Sequence, residues 1–450
     1  MQPTMNFTAG KNKKWNYLVD SMFFGAVLTS SFDIFLVLDI GGFTVRCTQL
    51  FQMALILLAA FHILRERKLF WPKGYGFLVG FVAVNLLCTF HTILPKWNLA
   101  YNAWLILFAA AIWAVTALYA GRAERMLQLY VLSFYAMAIW GCIQFILGFT
   151  GLSQWMITQW WIEGFPRVNG FTYEPSYYAT YMIMGYLFVQ VCSLFDKMEI
   201  AGLPLRPLQY LSMIAIVFGS SRMVYIPMGM MLAISAAILI LKAFQNKRVT
   251  AKQIKEFARQ AGFVLVYFVG LNTLMQICLI QAQIPADSSD VLLRNIGANG
   301  DYVNVTTRLD GWKASWELFT ESPLWGYGFG GISAEAMARD GMSLAEMEAM
   351  GRGGVTGNVF LEVLAASGLV GAILLLAYGI VLIRPMFSRK IWTGKGDTIA
   401  LALILALLGE AIMLAMNQNL LRNYTWLHIA VLSGYLYSRQ SFSDCKIPTN

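Results

Sequence analysis

The sequence predicts an all-α polytopic membrane protein of about 12 transmembrane helices, with one large extracytoplasmic helical loop. Three observations predict it. Of the 450 residues, 58% are hydrophobic and 13% charged, with mean hydropathy +0.59. Soluble domains are nearer half apolar and a quarter charged. Apolar runs of about 18 residues or more recur from end to end, long enough to cross a hydrocarbon core of about 30 Å. Threading the chain back and forth through those runs places 23 Lys and Arg on one side and 10 on the other, and the richer side is read as cytoplasmic. Both termini then lie in the cytoplasm. The net charge of +9 is explained by those cytoplasmic loops, so no nucleic-acid partner is expected.

Lys11, Lys13 and Lys14 precede the first span, about 17–38, which is too long for a signal sequence and reads as an anchor. A tight IGG turn leads to the second span, about 43–64, which ends in Arg65, Arg67 and Lys68. Spans three (about 74–94) and four (about 99–120) are joined by LPKWN, and Arg122 and Arg125 mark the return. Span five, about 126–149, leads into a stretch whose Trp155, Trp160 and Trp161 suit the headgroup level. Span six runs from Tyr173 to about 195, and span seven, about 207–219, is short and meets Ser220, Ser221 and Arg222. Span eight, about 224–243, is followed by Lys247, Arg248, Lys252, Lys255 and Arg259, then span nine, about 261–281. Spans ten (about 357–383), eleven (about 397–416) and twelve (about 424–438) close the chain. The chain reads as one membrane domain, 1–450, without an internal repeat of the transporter kind.

Residues 282–356 form the long polar stretch, expected to be a lid over a membrane-embedded site. Thr307 with Asp310 suggests a capping box, though with Asp where Glu or Gln is usual. Leu309, Trp312, Trp316 and Phe319 then follow at helical spacing, and Pro323 ends the helix. Ser343 with Glu346 is a full capping box opening a second short helix to about Met350.

Chemistry is sought first among charges beside apolar runs, because such an arginine costs about 2.5–3.5 kcal/mol on insertion scales and needs compensation. Arg222 in SSRMVYIP is either a ligand for an anionic substrate or a loop arginine reaching lipid phosphates. Arg167 in GFPRVNGFTYEPS carries the same alternatives, and Arg308 before the loop helix is such a ligand or a solvated arginine in the helix's first turn. Several arginines together suit a pyrophosphate, because the planar fork matches phosphate oxygens. Glu174, before Pro175, is a general base, a partner for Arg167 or Arg222, or a helix-start carboxylate. Glu362, one turn into span ten, is a buried base or a structural ion pair. Glu410 reads as a polar helix contact. GYGFGG at 326–331 fits a dinucleotide fingerprint formally, but no strand and helix flank it, so it reads as a glycine-rich turn. His62, His91 and His428 default to structural roles, no His/Asp/Glu cluster has metal spacing, and the six cysteines read as structural thiols.

Four stretches in order, RVNGFTYEPSYYA, SSR, RLDGWKASWELFTESPLWGYGFGG and GNVFLEVLAASGLVG, resemble the bacterial O-antigen ligase and O-antigen polymerase (Wzy-like) superfamily over about residues 160–372. The resemblance implies a membrane glycosyltransferase of the bacterial inner membrane, facing the periplasm or exterior. It implies a glycan donor carried on undecaprenyl pyrophosphate, no metal or other cofactor, and a chain-length regulator among the partners. Arg222 and Arg308 match the arginines that hold the pyrophosphate, and Arg167 matches the arginine of the RxxG segment. Ligases carry a histidine before the asparagine that opens the span after the loop. Here Gly357 precedes Asn358, which tilts the expectation from a ligase to a polymerase. A transporter or flippase of lipid-linked glycan is the alternative without chemistry.

Overall fold

A computed structural model describes residues 13–40, 43–150, 152, 156–162, 165–244, 249–282, 298–351, 357–417 and 420–444. The first nine helices are α1 Lys13–Leu28, α2 Cys47–Glu66, α3 Tyr75–Leu87, α4 Pro95–Tyr119, α5 Ala123–Gly148, α6 Pro175–Leu194, α7 Arg206–Gly219, α8 Tyr225–Phe244 and α9 Ala251–Ala282. They are followed by α10 Ala298–Glu321, α11 Gly331–Arg339, α12 Leu344–Met350, α13 Val359–Ile383, α14 Arg389–Trp392, α15 Thr398–Asn417 and α16 Asn423–Asp444. Among the described residues, seven helical stretches are long and apolar enough to cross a membrane: Cys47–Glu66, Pro95–Tyr119, Ala123–Gly148, Arg222–Phe244, Ala251–Leu274, Val359–Phe387 and Thr398–Met416. Tyr75–Phe90 is a shorter apolar helix.

The centre of the bundle is α6. Every residue from Tyr178 to Leu194 is buried, against α7 on one side and α15 on another. A helix that meets protein all round does not need a lipid-facing surface, so it can carry tyrosines whose hydroxyls find partners. Tyr178 Oη donates to the Met137 carbonyl at 2.9 Å and Tyr181 pairs with Ser133 at 3.1 Å. This polarity explains why α6 falls outside the seven. Around it α2 and α16 pack on α4, and α13 packs on α3 and α10.

The first span differs from expectation. Its helix stops at Leu28, and Thr29–Ser31 form a 3-10 turn. Thr29 Oγ1 and Ser30 Oγ donate back to the carbonyls of Gly25 and Val27 at 2.8 and 2.7 Å. The charged Asp33 is then met by arginines from elsewhere, so the chain turns instead of continuing. Strands β1 (Val37–Ile40) and β2 (Phe43–Arg46) pair antiparallel, Val37 opposite Arg46. The tight turn expected at Gly41 and Gly42 lies outside the described residues. Two further hairpins were not foreseen: β3 (Gln159–Ile162) with β4 (Phe165–Arg167), and β5 (Glu199–Ile200) with β6 (Leu203–Pro204).

The long polar stretch is helical where it is described. The capping box at Ser343 is present: its Oγ accepts from the Glu346 amide, and its own amide donates to Glu346 Oε2 at 2.7 Å. The one at Thr307 is not a helix start, because α10 begins at Ala298. Asp310 is too short to make the reciprocal bond that Glu or Gln supplies. The apolar stripe of α10 also splits. Leu309 and Trp316 are exposed, Trp312 and Phe319 are half-buried, and Ser315 and Leu318 are buried. The segments expected at 283–297 and 352–356 lie outside the described residues.

Helix α13 is broken at Gly368, whose φ of 59° and ψ of −165° are non-helical. The break frees backbone groups, and the segment from Pro323 to Gly328 takes them. Leu369 and Val370 amides donate to the Pro323 and Leu324 carbonyls at 2.7 and 3.3 Å, and Tyr327 and Gly328 amides donate to Ala365 and Ala366 at 3.0 and 2.7 Å. Irregular backbone at this depth is tolerated because the other chain satisfies it. The glycine-rich turn is therefore a splint, and glycine is needed for close approach: a Cβ on Gly326 would lie 2.5 Å from the Ala366 backbone, and one on Gly328 2.3 Å from Asn98.

A Cβ on Gly368 would lie 2.3 Å from the Leu324 backbone, in a conformation that L-residues rarely adopt, whereas one on Gly379 of the same helix meets nothing within 4 Å. Gly368→Ala is expected to destabilise by about 3 kcal/mol or more. Gly379→Ala should be neutral or stabilising by up to about 1 kcal/mol. Thermal unfolding midpoints in detergent check this, and equal midpoints would refute the splint.

Candidate active site

The stretch that begins at Arg167 is fixed almost residue by residue. Arg167 ends β4 opposite Gln159, and its Nη1 donates to Gln159 Oε1 at 2.8 Å. The next amide, Val168, donates to the Phe218 carbonyl at 3.0 Å, which ties the segment to the last turn of α7. Gly170 adopts φ +58°, and Gln144 of α5 clamps it, accepting from its amide at 2.7 Å and donating to its carbonyl at 3.0 Å. Asn169, fully buried, donates to Thr172 O at 2.7 Å, and Thr172 Oγ1 donates to the Glu174 carbonyl at 2.7 Å. The chain thus arrives at Glu174 in extended geometry with Pro175 as the first helical residue of α6. The Glu174 side chain makes no cap bond to the helix backbone; it accepts from Ser176 Oγ at 3.0 Å.

Arg222 comes from the hinge between α7 and α8. Ser220 closes α7 in the left-handed region at φ 49°, and Tyr267 Oη of α9 donates to the Ser221 carbonyl at 3.0 Å. Arg167 Nη2 donates to the Ser220 carbonyl at 3.2 Å, so the two arginines belong to one hinge. Arg222 is exposed and Arg167 is half-buried. Burial pushes the Arg167 guanidinium down to about 10, and the nearby Arg222 charge acts in the same direction. Arg167 stays protonated at neutral pH, so the site holds two cations in mutual repulsion. An anion between them would relieve that repulsion.

Glu362, in the first turn of α13, is buried, and its Oε2 accepts from the Leu420 amide at 3.1 Å. Two residues on, Arg422 forms a hub that sequence reasoning missed. Its Nη1 lies 3.0 Å from Asp33 Oδ2, and its guanidinium stacks 3.7 Å over the Tyr177 ring of α6. Asp33 also pairs with Arg46 Nε at 3.2 Å. The Asp33 and Ile34 amides both donate to the Phe171 carbonyl, at 2.8 and 3.1 Å, which joins this group to the Arg167 segment. Arg422 is within electrostatic reach of both Glu174 and Glu362. The signal was present, since Arg422 sits between two apolar runs as Arg222 does. Asp33 was hidden inside the expected first span.

The structure therefore brings Arg167, Arg222 and Glu174 together and connects them through Tyr177 and Arg422 to Glu362. Arg308 lies within α10, but its side chain is outside the described part. Glu410 is the expected polar contact, hydrogen-bonded by Thr425. His428 is structural: its ring nitrogens meet Tyr130 Oη at 2.5 Å and the Leu403 carbonyl at 2.8 Å. His91 stacks on Tyr327, and its Nδ1 lies 3.2 Å from Gly326 O, against the splint.

A family model described as O-Antigen ligase matches residues 209–376. Over this segment the chain is similar to the O-antigen ligase family. The segment contains Arg222, the backbone of Arg308, the splint, Glu362 and the broken helix. Arg167, Glu174, Asp33 and Arg422 lie outside it. The family implies a membrane glycosyltransferase-like enzyme acting on lipid-linked oligosaccharides. No curated protein sequence matches the chain.

Breaking a buried ion pair by removing one partner costs about 3–5 kcal/mol, because the other charge is left uncompensated. Arg422→Met should therefore be strongly destabilising. Adding Asp33→Asn should cost much less than it does alone. A double-mutant cycle on unfolding free energies measures this, and additivity within about 0.5 kcal/mol would exclude the hub.

Proposed function

We propose that the chain is a polysaccharide polymerase. It transfers a growing glycan from undecaprenyl pyrophosphate to a hydroxyl of another lipid-linked repeat unit, with the site facing the periplasm or exterior and both termini in the cytoplasm. The reading is carried by the hinge at Ser220–Arg222, inside the segment similar to O-antigen ligases, where the Arg167 guanidinium from outside that segment bonds the Ser220 carbonyl two residues before Arg222.

The acceptor hydroxyl oxygen attacks the anomeric carbon, and the bond from that carbon to the pyrophosphate oxygen breaks. Undecaprenyl pyrophosphate leaves with the electron pair, and the hydroxyl proton passes to Glu174 or Glu362. Arg167, Arg222 and Arg308 meet the charge that grows on the leaving oxygens, where fixed cations stabilise the transition state more than the ground state. Residues 282–356 act as a lid that keeps water from competing for the donor. A chain-length regulator would act on the same growing product.

The family description favours a second reading, a ligase that moves the glycan to lipid A core or another acceptor. Against it stands Gly357, at φ 55°, where ligases carry histidine. Asn358 beside it caps α13 by accepting from the Phe360 and Leu361 amides, which gives an asparagine there a structural role.

Purified protein with a lipid-linked repeat unit should release undecaprenyl pyrophosphate and build a ladder of glycan lengths without lipid A core. Arg222→Ala and Arg308→Ala should each lower the rate by about 100-fold or more and abolish long chains at unchanged expression. Glu174→Gln or Glu362→Gln should lower it by about 100- to 10,000-fold, whichever carries the base. Wild-type chain length in either arginine variant would refute the pyrophosphate assignment, and a requirement for lipid A core would favour the ligase.

A further inference from the structure

At the end of the bundle away from Arg167 and Arg222 there is a second feature of interest. Helix α13 starts beside Glu362 and runs 25 residues, so its far end lies roughly 35 Å away at 1.5 Å per residue. There a cleft of about 370 Å³ opens between Pro72 and Lys73 before α3, Arg384 and Pro385 after α13, and Ser433 and Tyr437 of α16. Its lining contains two cations and no carboxylate. Lys73 and Arg384 make no ion pair or hydrogen bond among the described residues. Several other cations at this end are paired, Arg122 and Arg125 with Asp20 and Arg439 with Asp397. Two exposed, unmatched cations sharing one concave surface are suited to an anion.

The surroundings say which kind. On α13 the exposed Ile373, Leu376 and Ile380 lie at three- and four-residue steps, and Arg384 continues the same row. The charge therefore stands at the head of an apolar stripe. Beside Lys73, Trp71 is exposed, as an aromatic at the headgroup level would be. A soluble anion would use the cations and leave the stripe bare, whereas a phospholipid uses both.

We propose that this cleft binds an anionic phospholipid of the bilayer. Its phosphate sits between Lys73 and Arg384, and an acyl chain lies along Ile380, Leu376 and Ile373. The site is independent of the glycan chemistry and holds the ends of α3, α13 and α16 together.

The test uses the full chain, purified in neutral detergent, with phosphatidylglycerol, phosphatidylcholine or inorganic phosphate added. Phosphatidylglycerol should raise the thermal midpoint and remain bound in native mass spectra, while the other two do neither. Lys73→Gln with Arg384→Gln should leave the lipid-free midpoint unchanged, because neither side chain has an ion-pair or hydrogen-bond partner among the described residues. It should raise the phosphatidylglycerol concentration needed for half the effect by about tenfold or more. The same response in the double variant, or with phosphatidylcholine, overturns the proposal. A full response to inorganic phosphate overturns the lipid as the source. Should the double variant fold poorly, each single variant gives the same reading with a smaller shift.

Discussion

A cation placed among apolar helices has to be met by an opposite charge, an acceptor or a ligand, and the outer architecture follows from how each arginine is met. Arg422 and Arg46 share Asp33. That sharing pulls the end of the first helix, the β1–β2 hairpin and the loop before the last helix into one place. Arg167 is met by Gln159 and the Ser220 carbonyl, which draws a β-hairpin against the hinge of α7 and α8. Buried ion pairs gain little net stability, since desolvation offsets attraction. Their value here is specific geometry: they decide which loops lie side by side.

Much of the bundle was legible because length and apolarity are local properties. A helix is found near each expected span, and the boundary at Arg206–Gly219 coincides with the short seventh span. The splint was legible only as a glycine-rich turn, since its pairing with Ala365 and Ala366 depends on a break that no local pattern announces. The first span was overextended because Phe32, Ile34 and Phe35 are as apolar as a helix interior. Only the partners of Asp33 reveal that the chain turns there.

The site divides in the same way. Arg167, Arg222, Glu174 and Glu362 could be named one by one, because each is a charge beside an apolar run. Asp33 and Arg422 stand 389 positions apart, and their relation is a property of the fold. The hairpin strands at 159–167 were missed because tryptophans there suggested only an interfacial loop. In the fold they supply the Gln159 that Arg167 needs.

The broken helix has one more effect. Pro323–Gly328 grips α13 on both sides of Gly368, so the register of Glu362 is set by a segment forty residues upstream. Residues 329–351 make no backbone hydrogen bond to α13 among the described residues. Insertions or deletions there would leave the bonds around Gly368 intact, and the carboxylate would keep its seat. The architecture thereby separates a stretch whose length can vary from one whose register must stay put.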